Sequence, residues 1–181
     1  MISMALMLCG LMLVFPALES PPELDSKVIR TTSKKNTKSF VLPFGKLWVD
    51  PSVWSKSKDQ NVPGAVLELA HHEGDAFLAV VTSPDFMTAN DFIVAFVDGM
   101  TSGDSEVKDA KLSKRRSIRL NGTQLTDITI TAMVSDQEFV YRGYLYTGRK
   151  GVCLVLTWTH VDLYSELSSE IEQVLDGFIV K

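Results

Sequence analysis

The chain has 181 residues, 45% hydrophobic and 22% charged, with a formal net charge of −4. That is the length of one domain, or of one domain with a leader, and the composition excludes a disordered, collagen-like or coiled-coil chain. Two cysteines cannot staple a disulfide scaffold, and the acidic balance argues against a dedicated nucleic-acid binder.

Met4 to Leu18 is an apolar run without a charge. It is shorter than the about 20 residues of a membrane-spanning helix and fits the roughly 7–15 residues of a secretory apolar core. The expectation is a signal peptide over 1–20, with a retained membrane anchor as the alternative. The flanks are imperfect. No Lys or Arg precedes the run, a cut after Ala17 leaves bulky Phe15 in the third position back, and a cut after Ser20 meets Pro21. Cys9 is a poor lipid-attachment site, because Leu8 stands where a small residue belongs. Beyond residue 20 the chain keeps 18 basic and 21 acidic residues, a net of −3, and a single cysteine, Cys153. Residues 21–37, rich in Ser, Thr, Lys and Pro, read as a flexible linker. Residues 38–181 read as one domain that must stand on its core alone.

From Ser39 the pattern is β. Phe40 to Leu42 and Lys46 to Asp50 read as short strands. Gly64 to His72 alternates, with Leu67, Leu69 and His71 on one face, and turns at Glu73-Gly74 into an apolar strand over Asp75 to Thr82. Thr88 then caps a helix whose apolar face is Phe92, Ile93, Phe96, Val97 and Met100. A long meander follows: Leu112 to Leu120, the hairpin pair Asn121-Gly122, Gln124 to Val134, a turn at Ser135-Asp136, Glu138 to Tyr146, a turn at 148–151, and Val152 to His160. A closing helix spans about Asp162 to Asp176, with Leu163, Leu167, Ile171, Val174, Leu175 and Phe178 on its apolar face. Hairpin connections dominate, so the sheet is mainly antiparallel and the class is α+β.

The stretches LWVDPSVW (47–54), LELAHHEGDAFLAVV (67–81), RLNGTQLTDITI (119–130) and YRGYLYTGRKGVCLVLTWT (141–159), closed by the helix ending VLDGF (174–178), carry a resemblance. Together they resemble the bacterial branch of the PsbP-like superfamily, with its DcrB-like exported proteins. The resemblance spans about residues 39–180 and implies an α-β-α sandwich around a central, mainly antiparallel sheet. It also implies a non-enzymatic adaptor or stabiliser. The photosystem and Ran-binding roles of other superfamily members do not carry over, because no residue here matches those partner surfaces.

The chemistry-bearing residues form few patterns. His71-His72-Glu73-x-Asp75 is the one cluster of metal-ligand types. Strand alternation should send His71 and His72 to opposite faces, short of the three or four converging ligands of a tight site. Cys153 sits in an apolar run and reads as a buried, inert thiol, roughly 20 Å or more along a strand from His160. There is no nucleophile elbow and no glycine-rich phosphate loop. The carboxylates Glu68, Glu73, Asp75, Asp127 and Asp136 read as hairpin ends and sheet surface. Lys114, Arg115, Arg116 and Arg119 form the densest basic stretch, a charged edge strand or a docking patch. Trp48 and Trp54, in a loop-rich stretch, join Arg115 and Arg119 as the candidate partner surface.

The expectation is therefore an exported, non-enzymatic module that binds or stabilises a protein partner in the cell envelope. It uses no cofactor and no nucleic acid, and meets a membrane only through an uncleaved leader. The sequence carries no signal of oligomeric state. The alternative is a metal-dependent or acid–base enzyme using the His71/His72/Glu73/Asp75 tip.

Overall fold

The computed structural model describes residues 29–58, 62–102 and 106–181. The run Met4–Leu18, with the signal peptide expected there, and the first part of the linker lie outside the described residues.

In chain order the elements are β1 (Ile29–Arg30), β2 (Lys38–Leu42), β3 (Gly45–Val49), β4 (Trp54–Lys56), β5 (Ala65–His71), β6 (Ala76–Ser83), α1 (Ala89–Met100), β7 (Val107–Leu120), β8 (Thr123–Val134), β9 (Gln137–Gly148), β10 (Gly151–His160), α2 (Val161–Leu175) and β11 (Phe178–Val180). Eight strands make the main sheet, ordered β1-β7-β8-β9-β10-β6-β5-β4, and three make a small one, ordered β11-β3-β2. Among the described residues strand pairing is antiparallel except between β1 and β7.

The meander's register follows from its turns. Asn121 and Gly122 both hold positive φ, +48° and +85°. This is the two-residue geometry whose twist matches the strands it joins. It sets Leu120 opposite Thr123, and the β7–β8 ladder runs from there to Val107 opposite Val134. Ser135 and Asp136 repeat the device between β8 and β9.

Side-chain alternation splits the core. On β10, Cys153 and Val155 pack with Ile171, Val174 and Leu175 of α2 and with Leu47 and Val49 of β3. Between them, Val152, Leu154 and Leu156 pack with Phe92 and Ile93 of α1. Thr88 caps α1, its hydroxyl accepting from the Asp91 amide at 3.1 Å. His160 caps α2, its Nδ1 accepting from the Asp162 amide at 3.4 Å.

Three local expectations are corrected. Residues 29–37 are not a tether. Ile29 and Arg30 pair with Arg119 and Leu120 of β7, and Asn36 donates to the Gln173 carbonyl of α2 at 2.8 Å. Phe178 does not extend the α2 face but opens β11, opposite Leu47. Trp54 is no loop residue; it sits in β4 opposite His71. Gly177 makes the second change possible. The Trp48 amide donates to the Gly177 carbonyl at 2.9 Å, and a Cβ on Gly177 would overlap the Trp48 carbonyl oxygen. Helix and small sheet are joined at a point where no side chain fits.

Gly177→Ala is expected to cost about 1–3 kcal/mol, the scale of an overpacked interior. Gly99→Ala, in α1 with open space around the added methyl, should hold or raise stability. Thermal unfolding of the two variants beside the parent checks both signs.

Candidate functional site

The most concentrated polar chemistry lies between the main sheet and α2. Asp127 on β8 is almost wholly buried, at 1% exposure, and Arg142 on β9 is at 8%. Asp127 Oδ2 accepts from Arg116 Nε of β7 at 2.7 Å and from Arg142 Nη2 at 3.4 Å. Arg142 Nη1 reaches Glu172 Oε1 of α2 at 2.8 Å and donates to the Tyr164 hydroxyl at 3.4 Å. Glu172 also takes Arg30 of β1 at 3.1 Å, and Arg30 approaches Asp176 at 3.6 Å. The Tyr144 hydroxyl of β9 closes the chain of contacts, donating to Asp176 Oδ1 at 3.0 Å. Three arginines meet three carboxylates, so the network is neutral as a unit.

The local fold explains the gathering. Arg116 and Asp127 are direct cross-strand partners, as are Asp127 and Tyr144. Glu172 and Asp176 lie one turn apart on α2 and so present one face to the sheet. The titrations follow the surroundings. Burial disfavours the charge on Arg142, but Asp127, Tyr164 and Glu172 outweigh it and its pKa is raised. Burial likewise opposes ionisation of Glu172, yet Arg30 and Arg142 draw its pKa below the ordinary value. For Asp176 burial wins over Tyr144 and Arg30, and its pKa is raised. Burial pushes the Tyr144 hydroxyl up as well, which keeps it a donor.

Asp127 thus departs from the surface role expected of it, and Glu68, at 7% exposure, is buried too. Glu68 accepts from the Val62 amide at 3.0 Å. Glu73, Asp75 and Asp136 are exposed at turns, as expected.

His71 and His72 do not diverge. Their ring centres are 4.6 Å apart. Strand alternation ends at His71, and His72 opens the turn, where the backbone no longer sets opposite faces. His71 is buried, its Nε2 at 2.8 Å from Glu170 Oε2 of α2 and its ring edge-on to Trp54 at 5.6 Å. His72 is exposed, 3.5 Å from Glu73. Asp75 is engaged through its backbone carbonyl, which accepts from Thr159 Oγ1 at 2.6 Å. Among the described residues no three His, Cys, Asp or Glu side chains gather as a metal site would require.

The four residues chosen as a partner surface are not one surface. Trp54, at 2% exposure, is a core residue, because β4 lays it against β5 in the cluster that includes Leu69 and Val49. Trp48 is half-buried in β3. Arg115 is half-buried, its Nη1 donating to Asn90 Oδ1 beside α1 at 3.0 Å. Arg119 is exposed on β7. Cys153 is buried, and desolvation pushes its thiol up to about 12. The Asn121 side chain is engaged as well. Its Nδ2 donates to Thr32 Oγ1 at 3.0 Å and to the Phe178 carbonyl at 3.3 Å.

A mainly antiparallel sheet carrying two helices places the chain in the α+β class. Comparison sharpens that. No family model matches the chain, and no curated protein matches it. Among solved structures it is similar to cyanobacterial PsbP (CyanoP) from Synechocystis sp. PCC 6803, with 16% identity and a TM-score of 0.55 over 84% of this chain and 91% of that one. It is also similar to PA94 from Pseudomonas aeruginosa, a protein of unknown function, with 11% identity and a TM-score of 0.49 over 80% and 96% of the two chains. The CyanoP likeness shows a PsbP-like fold.

Two outcomes follow from the network. Asp127→Ala strips Arg142 of its buried counter-charge and should cost about 3–5 kcal/mol, whereas Asp127→Leu with Arg142→Met should recover much of that loss. Urea unfolding of both variants checks this. Glu172 has a depressed folded pKa, so its contribution is present above the ordinary carboxylate range and is lost as pH falls through the folded value. Glu172→Gln should therefore show a shallower fall of stability below about pH 4.5, measured as urea midpoint against pH. Asp176, with its raised pKa, runs the other way: its contribution is fully present below its ordinary value and fades as pH rises through the folded one.

Proposed function

We propose that this chain is a non-enzymatic binding or stabilising module of the bacterial cell envelope, exported by the apolar leader at Met4–Leu18 and allied to the DcrB-like branch of PsbP-like proteins. The alternate packing of β10 toward α1 and α2 supports an α-β-α layering, the arrangement that goes with that branch. The partner is a protein. What carries the reading is the division of charge. The buried carboxylates and arginines neutralise one another, and the thiol is held protonated in the core. Lys108, Lys111, Lys114 and Arg119 face water on one strand and join no ion pair among the described residues. The ionic groups between the sheet and α2 are paired with one another, and the cations of β7 are left outside, where they could meet a partner.

Cell fractionation with amino-terminal sequencing tests the export half. The mature protein should leave the cytoplasm and begin near residue 21; a full-length cytoplasmic chain would contradict it. Retention on native envelope material tests the binding half. Lys111→Glu with Arg119→Glu should release the protein without changing its thermal midpoint, and retention that ignores both charges would count against the reading.

A further inference from the structure

The β7 edge adds a recognition mode to this reading, and the inference rests on it. β7 has β8 on one side and, on the other, only the two residues of β1, opposite Arg119 and Leu120, among the described residues. Upstream of Arg119 no other strand lies along its outer side among the described residues. The ladder to β8 is regular from Lys114 to Leu120 and broken by register shifts before Lys114, with Asp109 at φ +52°. In an antiparallel pair alternate residues turn their main-chain groups to the partner. The turn at Asn121-Gly122 makes Leu120 and Thr123 the closing pair, so Ile118, Arg116 and Lys114 bond inward. Ser117 and Arg115 then offer their N–H and C=O outward. The Asn121 amide shows the same parity, donating outward to the Arg30 carbonyl at 3.1 Å.

That edge is heavily basic. β7 carries Lys108, Lys111, Lys114, Arg115, Arg116 and Arg119 against one acid, Asp109: six of the 18 basic residues of a chain whose net charge is −4. Arg116 is used by Asp127; the others meet no carboxylate among the described residues. Lys114 lies on one face of the strand and Arg115 on the other. A flat anionic surface reaches one face at a time, whereas a strand lying in the plane of the sheet meets both. We infer that the outer edge of β7 from Lys114 to Ile118 accepts a short, extended, acidic segment of a partner protein as an added strand. Main-chain bonds to Arg115 and Ser117 would hold it, and Lys114, Arg115 and Lys111 would select it by charge.

The test uses the full chain and a peptide about ten residues long that alternates Glu and Val, with a Lys/Val peptide as control. The acidic peptide should bind, and should slow hydrogen exchange at the Arg115 and Ser117 amides. Lys114→Glu should weaken it about tenfold or more. Ser117→Pro keeps every cation but removes one outward N–H at an edge position that tolerates proline, and should also abolish the added protection. Thermal midpoints confirm that both variants are folded. Binding that survives Ser117→Pro would overturn strand addition. So would binding of phosphatidylglycerol vesicles or duplex DNA in place of the peptide, or strong protection of these amides in the free chain. Any of these, with envelope retention intact, sinks the docking mode and leaves the broader reading standing.

Discussion

The seating of α2 on the main sheet is the constraint from which the rest of the molecule follows. It is an ionic arrangement laid over an apolar one. Ile171, Val174 and Leu175 supply the buried surface, which alone would let the helix rotate or slide with modest loss. Glu172 and Asp176 restrict that freedom, because Glu172 meets Arg30 of β1 and Arg142 of β9, and Asp176 meets Arg30 and the Tyr144 hydroxyl of β9. Guanidinium groups suit this role. Their planar forks hold more than one acceptor in fixed directions, so Arg142 serves Asp127, Glu172 and Tyr164 together. The network adds little net stability over an apolar equivalent, since desolvation offsets much of the attraction. What its geometry adds is direction: the fixed guanidinium forks are matched by carboxylates at one seating of the helix.

The consequences run outward from the end of α2. Asp176 sits at the helix terminus, and Gly177 beside it lets the chain pass against the Trp48 carbonyl. β11 then completes the small sheet against β3. Asn121, at the tip of the β7–β8 hairpin, reaches across to the Phe178 carbonyl and to Thr32. The residue that turns the hairpin thus also ties the main sheet to the small one. The segment before β2 is drawn in by the same group of contacts, through Arg30, Thr32 and Asn36.

What could be seen in the sequence divides along the range of the interactions. Asn121-Gly122 and Ser135-Asp136 are local signals, and both turns stand where expected, although β7 begins at Val107 rather than Leu112 and carries register shifts that no local signal marks. Both helices announce themselves by period, and α1 also by its cap at Thr88. The ionic network is the opposite case. Arg30 and Glu172 are 142 positions apart, and Asp127 and Arg142 are 15 apart on neighbouring strands. No spacing rule joins them before the topology is known, so Asp127 reads as surface. Three-residue strands such as β4 and β11 are too short to show a period, which is why Trp54 and Phe178 were placed elsewhere. His71 and His72 follow the rule of alternation only while the strand lasts.

The distribution of charge has a physical logic that separates the two sides of the molecule. Inside, an unpaired ion is costly, so positive and negative groups match one for one between the sheet and α2. At the β7 edge an unpaired cation is hydrated and costs little, and a row of them keeps a second copy of the same strand from pairing there. The register shifts before Lys114 shorten the usable edge further. Such features disfavour pairing with a second copy of the same strand, yet they discriminate rather than close. Like-charged strands are repelled, long flat strands find too little regular edge, and a short acidic strand meets neither obstacle. An edge protected by charge favours the opposite charge over its own, and here the charge sits beside main-chain groups that, among the described residues, no strand pairs upstream of Arg119.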